Sequence, residues 1–252
     1  MWKIIFFGKC LILSCTTSKQ ENLILKKVNT NESQYNGYLI NRDPGLHKLE
    51  GYSIIDSSFG IILVHGYYPS TWETKGYEWN KAIHQTADLG RPIWWLRYRW
   101  FDCPEKSVAM LSNSINNLIE QKTHLDSLWI IGHSLGGFIV SHFAENWEKN
   151  FPITIHAIAS PLKEINRKSK KCILNGKSNY IFNNSINYNQ WRTQYKQDGA
   201  FKHLDKDPQD VILHNGNYII LPKEWDGKRI GHNYSIQWVL FNIKNNIKPY
   251  AF

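Results

Sequence analysis

The stretch Trp129-Ile130-Ile131-Gly132-His133-Ser134-Leu135-Gly136-Gly137 decides how this chain is read. Leu128 to Ile131 is a short apolar run, the pattern of a buried strand. The run breaks at Gly132, and apolar residues resume at helical spacing from Leu135. Between strand and helix stands Gly-x-Ser-x-Gly. A serine hydroxyl is a poor nucleophile and has to be presented without crowding. A sharp strand-to-helix turn presents it so, with backbone angles unfavourable for a residue that has a Cβ. Gly132 and Gly136 are expected where a side chain would collide with that turn. Gly137 is expected where the helix packs close to the sheet. Five residues alone are a weak signal; the strand before and the helix after give it weight.

Working outward, Ile61-Ile62-Leu63-Val64 is continuously apolar, as a strand covered on both faces should be. It runs into His65-Gly66-Tyr67. Thr71 to Ala87 predicts a helix, with Trp72, Trp79 and Ile83 on one side. Pro92 to Trp100 predicts a strand. Asp102 to Glu105 has the spacing of a helix start, with Pro104 in the first turn. Val108, Leu111, Ile115, Leu118 and Ile119 then recur at helical spacing. Ile153 to Ala159 predicts a further strand, Tyr188 to Tyr195 the penultimate one and Asn217 to Leu221 the last. Ile236, Trp238, Leu240 and Ile243 mark a C-terminal helix. Near the start, Asn41 to Gly45 is a turn signal and Tyr52 to Ile55 a candidate early strand. Alternating strands and helices argue a mostly parallel central sheet flanked by helices on both faces.

Gly132-His133-Ser134-Leu135-Gly136-Gly137 resembles the nucleophile elbow of lipases and esterases of the α/β-hydrolase superfamily, and the resemblance extends over about residues 60–245. It implies the fold and its machinery better than it implies a substrate. In the lipase-like families the His-Gly after the second strong strand begins the oxyanion loop. The resemblance thus implies oxyanion donors at the backbone N–H groups of Tyr67 and Leu135, with His65 structural. Ser160-Pro161 is similar to the Ser-Pro that follows the corresponding strand in many lipases. Residues 162–187 fall where such enzymes insert a lid, and leave room for a small one at most.

A serine nucleophile needs a base to take its proton and a carboxylate to orient the base. The superfamily order is Ser, acid, His. His232, in a polar loop between the last strand and the C-terminal helix, fits the base. His203 and His214 precede the last strand and fit less well. Asp198-Gly199-Ala200-Phe201 resembles the turn that carries the acid in many lipases, so Asp198 is preferred. Asp205, Asp207 and Asp210 stand close behind as alternatives, or as caps of the turns around Pro208. The implied chemistry is ester cleavage through an acyl-enzyme, with an acyltransferase or thioesterase on the same triad as the nearest rival. A non-catalytic membrane-surface binding protein is the rival of another class.

The 252 residues, 42% hydrophobic and 20% charged, suit one folded domain over 38–252. The formal charge of +9 favours anionic surfaces. No nucleic-acid motif accompanies it, so the expected partners are a small-molecule or lipid acyl substrate and a membrane surface. Lys163, Arg167, Lys168, Lys170 and Lys171 form a basic cluster that is either a solvated face or a contact for anionic lipid. Neither His-x-x-x-His nor Cys-x-x-Cys occurs, and no cofactor is expected. Residues 1–15 read as a signal peptide too short to span a bilayer. Ile12-Leu13-Ser14-Cys15 resembles a bacterial lipobox, which implies lipidation at Cys15 and an envelope location; a cytoplasmic protein is the alternative. Residues 16–37 then read as a polar tether. Cys103 and Cys172 permit one disulfide or two free thiols.

Overall fold

The computed structural model describes residues 21–163 and 172–245. Cys15, the signal-peptide and lipobox readings, and Arg167, Lys168, Lys170 and Lys171 lie outside the described residues. In chain order the strands are β1 (Leu23–Ile24), β2 (Gly45–Glu50), β3 (Phe59–Val64), β4 (Ile93–Arg97), β5 (Ser127–His133) and β6 (Ile153–Ile158). They continue with β7 (Asn179–Ile181), β8 (Ile186–Arg192), β9 (Ile212–His214), β10 (Gly216–Ile220), β11 (Glu224–Trp225) and β12 (Lys228–Arg229). The helices are α1 (Gly37–Ile40), α2 (Asn80–Ala87), α3 (Pro104–Gln121), α4 (Leu135–Glu145) and α5 (Ser235–Asn245).

Eight strands form the central sheet in the order β1-β2-β4-β3-β5-β6-β8-β10. From β4 to β10 every pairing is parallel; β2 joins β4 antiparallel. Helix α3 packs on α4 and α2 on α5. The middle strands need both layers, because Ile61 to Val64 and Ile130 to Gly132 are buried without alternation. Register aligns the strand ends that matter. Val64 pairs with Gly132, His133 with Ile158, and Ile158 with Trp191. The loops after β3, β5 and β8 therefore leave the sheet at one edge, the carboxyl edge where open α/β sheets bind ligands.

Three local expectations change. Residues 21–37 are no tether, because β1 pairs with β2 and Leu23 is fully buried beside it. The early strand is Gly45–Glu50, where His47 and Leu49 alternate inward; Tyr52 to Ile55 forms none, and Ile55 is exposed. The helix expected from Thr71 starts late, as a single 3₁₀ turn, Tyr77–Trp79, followed by α2. Gly76, at φ 79° and ψ −1°, delays it: a left-handed residue cannot continue a right-handed helix. Among the described residues the chain from 172 to 187 forms β7, turns and the start of β8, and none of it lines the Ser134 pocket.

Cys103 and Cys172 form a disulfide across 69 residues, tying the start of α3 to the connection after β6. Constraining so long a loop in the unfolded chain stabilises the fold by about 2–4 kcal/mol. Reduction, or Cys103→Ser with Cys172→Ser, should lower the unfolding free energy by that amount, read as a lower denaturant midpoint at unchanged slope. An identical midpoint under reducing and oxidising conditions would show that the bond contributes nothing.

Candidate active site

The turn between β5 and α4 holds Ser134 at φ 54° and ψ −119°, a conformation costly for a residue with a Cβ. Ser134 N–H donates to the Ile158 carbonyl at 2.9 Å, which pins the turn to β6. The glycines explain why the turn can exist. A Cβ on Gly132 would stand 2.6 Å from the Gly136 carbonyl oxygen. A Cβ on Gly136 would run into the carbonyls of Val64 and His65, and one on Gly137 into the Ser160 hydroxyl. Backbone thus meets backbone at Gly132 and Gly136, with no flexible side chain to yield. Leu135 opens α4, so its N–H has no partner within the helix and stands beside the serine.

His232 lies in the loop before α5 and is nearly buried. Its Nδ1–H donates to Asp198 Oδ2 at 3.0 Å. The backbone around the ring is held as well: the His232 carbonyl accepts from the Ser235 hydroxyl at 2.6 Å and from His133 Nε2 at 3.0 Å. Phe201 sets its ring edge-on to the imidazole, 4.9 Å between centroids. With Nδ1 committed to Asp198, Nε2 is the nitrogen left for a substrate-side proton.

Asp198 follows a 3₁₀ turn after β8 and is fully buried. Burial would raise its carboxyl. The His232 hydrogen bond and charge, the Thr193 hydroxyl at 2.5 Å and the Ala200 N–H at 2.8 Å outweigh burial and hold it below its ordinary value. Of the alternatives, Asp207 Oδ1 caps a turn by accepting from Gln209 N–H at 2.9 Å, and Asp210 pairs with Arg192 at 3.1 Å. Asp205 is exposed. Asp198 is thus the acid that meets His232, and the turn-capping reading around Pro208 holds for Asp207.

Ser134 and His232 line one pocket of about 130 Å³ together with Gly66, Tyr67, Tyr68, Trp72, Glu78 and Asn233. No hydrogen bond links Ser134 to His232. In unliganded sites such bonds are often long, and tighten when substrate arrives. A larger groove of about 640 Å³, bounded by Arg192, Tyr195, Lys196 and Tyr218, holds neither residue. Among the described residues, the cluster of metal-ligating types is Cys103, Glu105 and Cys172, whose sulfurs are spent in the disulfide.

No protein-family model matches the chain, and no curated protein matches it in sequence. Solved structures do match. A lipase-esterase related protein from Clostridium acetobutylicum superposes with a TM-score of 0.53 at 12% identity, over 82% of this chain and 99% of that one. An esterase from Pyrococcus furiosus gives 0.51 at 13% identity, over 77% of this chain and 81% of that one. The chain has the α/β-hydrolase fold.

Within this α/β-hydrolase fold His65 is a structural residue. Its ring is fully buried and stacked on Tyr98 at 4.2 Å. Nδ1–H donates to the Gly66 carbonyl at 2.7 Å, and Nε2 accepts from Tyr98 N–H at 3.4 Å. Three neighbours of the site escape a reading of the sequence. Thr193, taken for the interior of a strand, leaves β8 and holds Asp198. His133 is buried under the His232 loop. Glu78 is buried on the pocket wall. Each acts across more than one element, and a motif confined to one stretch gives no sign of it.

The buried imidazoles set the acid limit. Burial lowers His65, His133 and His156 to about 3 each; for His65 the Arg97 charge adds to it, and for His133 that of His232. An unfolded histidine titrates near 6.5. The unfolded chain therefore binds more protons below that pH, so stability is full above 6.5 and is lost as pH falls toward 3. Each ring costs about 1.4 kcal/mol per pH unit over that window. Glu78, raised to about 7, opposes this as a single group between about 4.5 and 7. The protein should unfold before about pH 4, given typical stabilities of ~5–15 kcal/mol. Native tryptophan fluorescence at pH 3.5 would contradict that burial.

Proposed function

We propose that the protein is a serine carboxylic-ester hydrolase. The observation that carries the reading is the Asp198–His232 hydrogen bond beside a serine held at positive φ in a shared pocket. Ser134 Oγ attacks the ester carbonyl while His232 Nε2 takes its proton. Asp198 keeps the imidazole in the tautomer that leaves Nε2 free and stabilises the imidazolium. The Leu135 and Tyr67 N–H groups receive the oxyanion. His232 then protonates the departing alcohol. Water, deprotonated in turn by His232, releases the acid from Ser134. The small pocket favours short acyl or alcohol groups. Lipase- and esterase-named proteins among the structural neighbours accord with this chemistry.

The Ser14-Cys15 signature and the Cys103–Cys172 disulfide both suit an exported, lipid-anchored enzyme, and we infer that location. Labelling cells with a clickable fatty acid tests it: the label should appear on the wild-type protein and vanish with Cys15→Ala. A soluble product with an intact, unlipidated Met1 would refute it.

A fluorophosphonate probe should label Ser134 and leave Ser134→Ala unlabelled. Ester turnover in that variant should fall to at most ~10³-fold over the uncatalysed rate. Asp198→Asn should lower kcat by about 10²–10⁴, while Asp207→Asn and Asp210→Asn stay near wild type. Wild-type turnover by Ser134→Ala would end the serine-hydrolase reading.

A further inference from the structure

Glu78 is a carboxyl that the mechanism above does not use. It is 3% exposed, yet it borders the pocket that holds Ser134 and His232. Its Oε1 accepts from the Tyr68 hydroxyl at 2.7 Å. Its Oε2 is buried and has no partner. Leaving a carboxyl oxygen dry and unpaired costs free energy that an apolar residue of similar size, such as methionine, would not incur. The position is also well fixed. Gly76 sets the turn that starts at Tyr77, and Tyr77 Oη accepts from Asn233 Nδ2 at 2.7 Å. Asn233 adjoins His232, so the turn bearing Glu78 and the loop bearing the base are joined. Trp79, on the other side of Glu78, is fully buried against Trp95.

We propose that Glu78 is a specificity-determining residue that selects esters bearing a hydroxyl group close to the scissile bond, through a hydrogen bond between that hydroxyl and Oε2. The proposal rests on the serine-esterase reading and deepens it. The remaining walls near Glu78, Tyr67, Tyr68, Pro69 and Trp72, are largely aromatic or apolar, so an unpaired oxygen there discriminates sharply. Burial pushes the Glu78 carboxyl up to about 7, against the Tyr68 hydrogen bond and the His232 charge, which lower it. Near neutral pH the group is thus found in both forms. A hydroxyl suits both: it donates to the carboxylate and accepts from the acid. An ammonium group would suit only the first. A methyl in place of the hydroxyl would leave Oε2 buried and unpaired in the complex, and sites built this way reject the analogue that lacks the polar group.

Two matched pairs of esters separate the acyl side from the alcohol side. Ethyl glycolate is compared with ethyl propanoate, and 2-hydroxyethyl propanoate with propyl propanoate. For each, kcat/KM measured by pH-stat is divided by the ester's own hydroxide-catalysed rate constant. The wild type should favour the hydroxylated member of one pair by about tenfold or more. Glu78→Leu combined with Tyr68→Phe removes both partners together, so that neither is stranded in the core. This double variant should lose the preference. A wild type that treats both pairs alike within twofold overturns the proposal, whatever the variant's folding, and so does a preference that survives in a folded double variant. Equal turnover of all four esters removes the Glu78 reading alone. Absence of both turnover and fluorophosphonate labelling removes the esterase reading with it.

Discussion

The approach of bare backbone to bare backbone at Ser134 is the constraint on which the site depends. The carbonyls of Val64 and His65, at the end of β3, occupy the space that a side chain on Gly136 would need. The carbonyl of Gly136 likewise fills the place of one on Gly132. Helix α4 can therefore start immediately after β5 and lie against the end of β3. That contact fixes Ser134 relative to Gly66 and Tyr67, so the proposed nucleophile and one expected oxyanion donor belong to the same rigid junction. The strain at Ser134 is tolerated because β6 and β3 hold the turn from both sides.

The proposed base and acid, His232 and Asp198, arrive by longer routes. Asp198 is kept ionised in a dry place because Thr193, Ala200 and His232 all direct hydrogens at it. Gln209 in turn accepts from the Thr193 N–H at 2.9 Å, which steadies the residue that steadies the acid. Glu78 is the counter-example within the same pocket. Burial dominates there because the Tyr68 hydroxyl, the Glu78 backbone N–H and the His232 charge together do not offset it. Two carboxyls near one imidazole are thus pushed in opposite directions, one toward a permanent charge and one toward neutrality. An orienting acid needs the first condition. A group that meets a neutral substrate is served by the second.

The sequence showed the elbow because its requirements are local: an apolar strand, two glycines flanking a serine, an apolar helix, all within nine residues. Strands β3, β4 and β5 were legible for the same reason, since cover on both faces imposes unbroken apolar runs, and β6 was legible from its β-branched residues although Thr154 and His156 interrupt it. His232 was legible from chain order and the helix after it. Elements at the sheet margin were not. Strand β2 alternates weakly, with His47 turned inward to bond the Glu21 and Asp43 carbonyls, so its pattern resembles a loop. Strand β1 is two residues long and is a strand only because β2 lies beside it. Asp198 stood out from its neighbours by resemblance alone; what distinguishes it physically, a buried carboxylate meeting His232, forms only when residues 34 positions apart come together.

The abundance of aromatic residues acquires a specific role beneath the loop after β3, the proposed oxyanion loop. His65, Tyr68, Trp95, Tyr98 and Trp100 pack ring against ring under Gly66 and Tyr67. The Tyr98 hydroxyl donates to the His65 carbonyl at 2.7 Å, and the His65 ring donates to that of Gly66. Both carbonyls are therefore occupied from below, which orients the peptide planes that lead into Tyr67. A loop placed over aliphatic side chains would leave those carbonyls unsatisfied or free to rotate. The same stack keeps His65 neutral, because burial disfavours a charged imidazole and the Arg97 guanidinium adds to that. A histidine close to Ser134 is thus prevented from acting as a base by the packing that makes it a good support. In the proposed mechanism the proton chemistry falls to His232, whose ring reaches the pocket and whose partner is an acid.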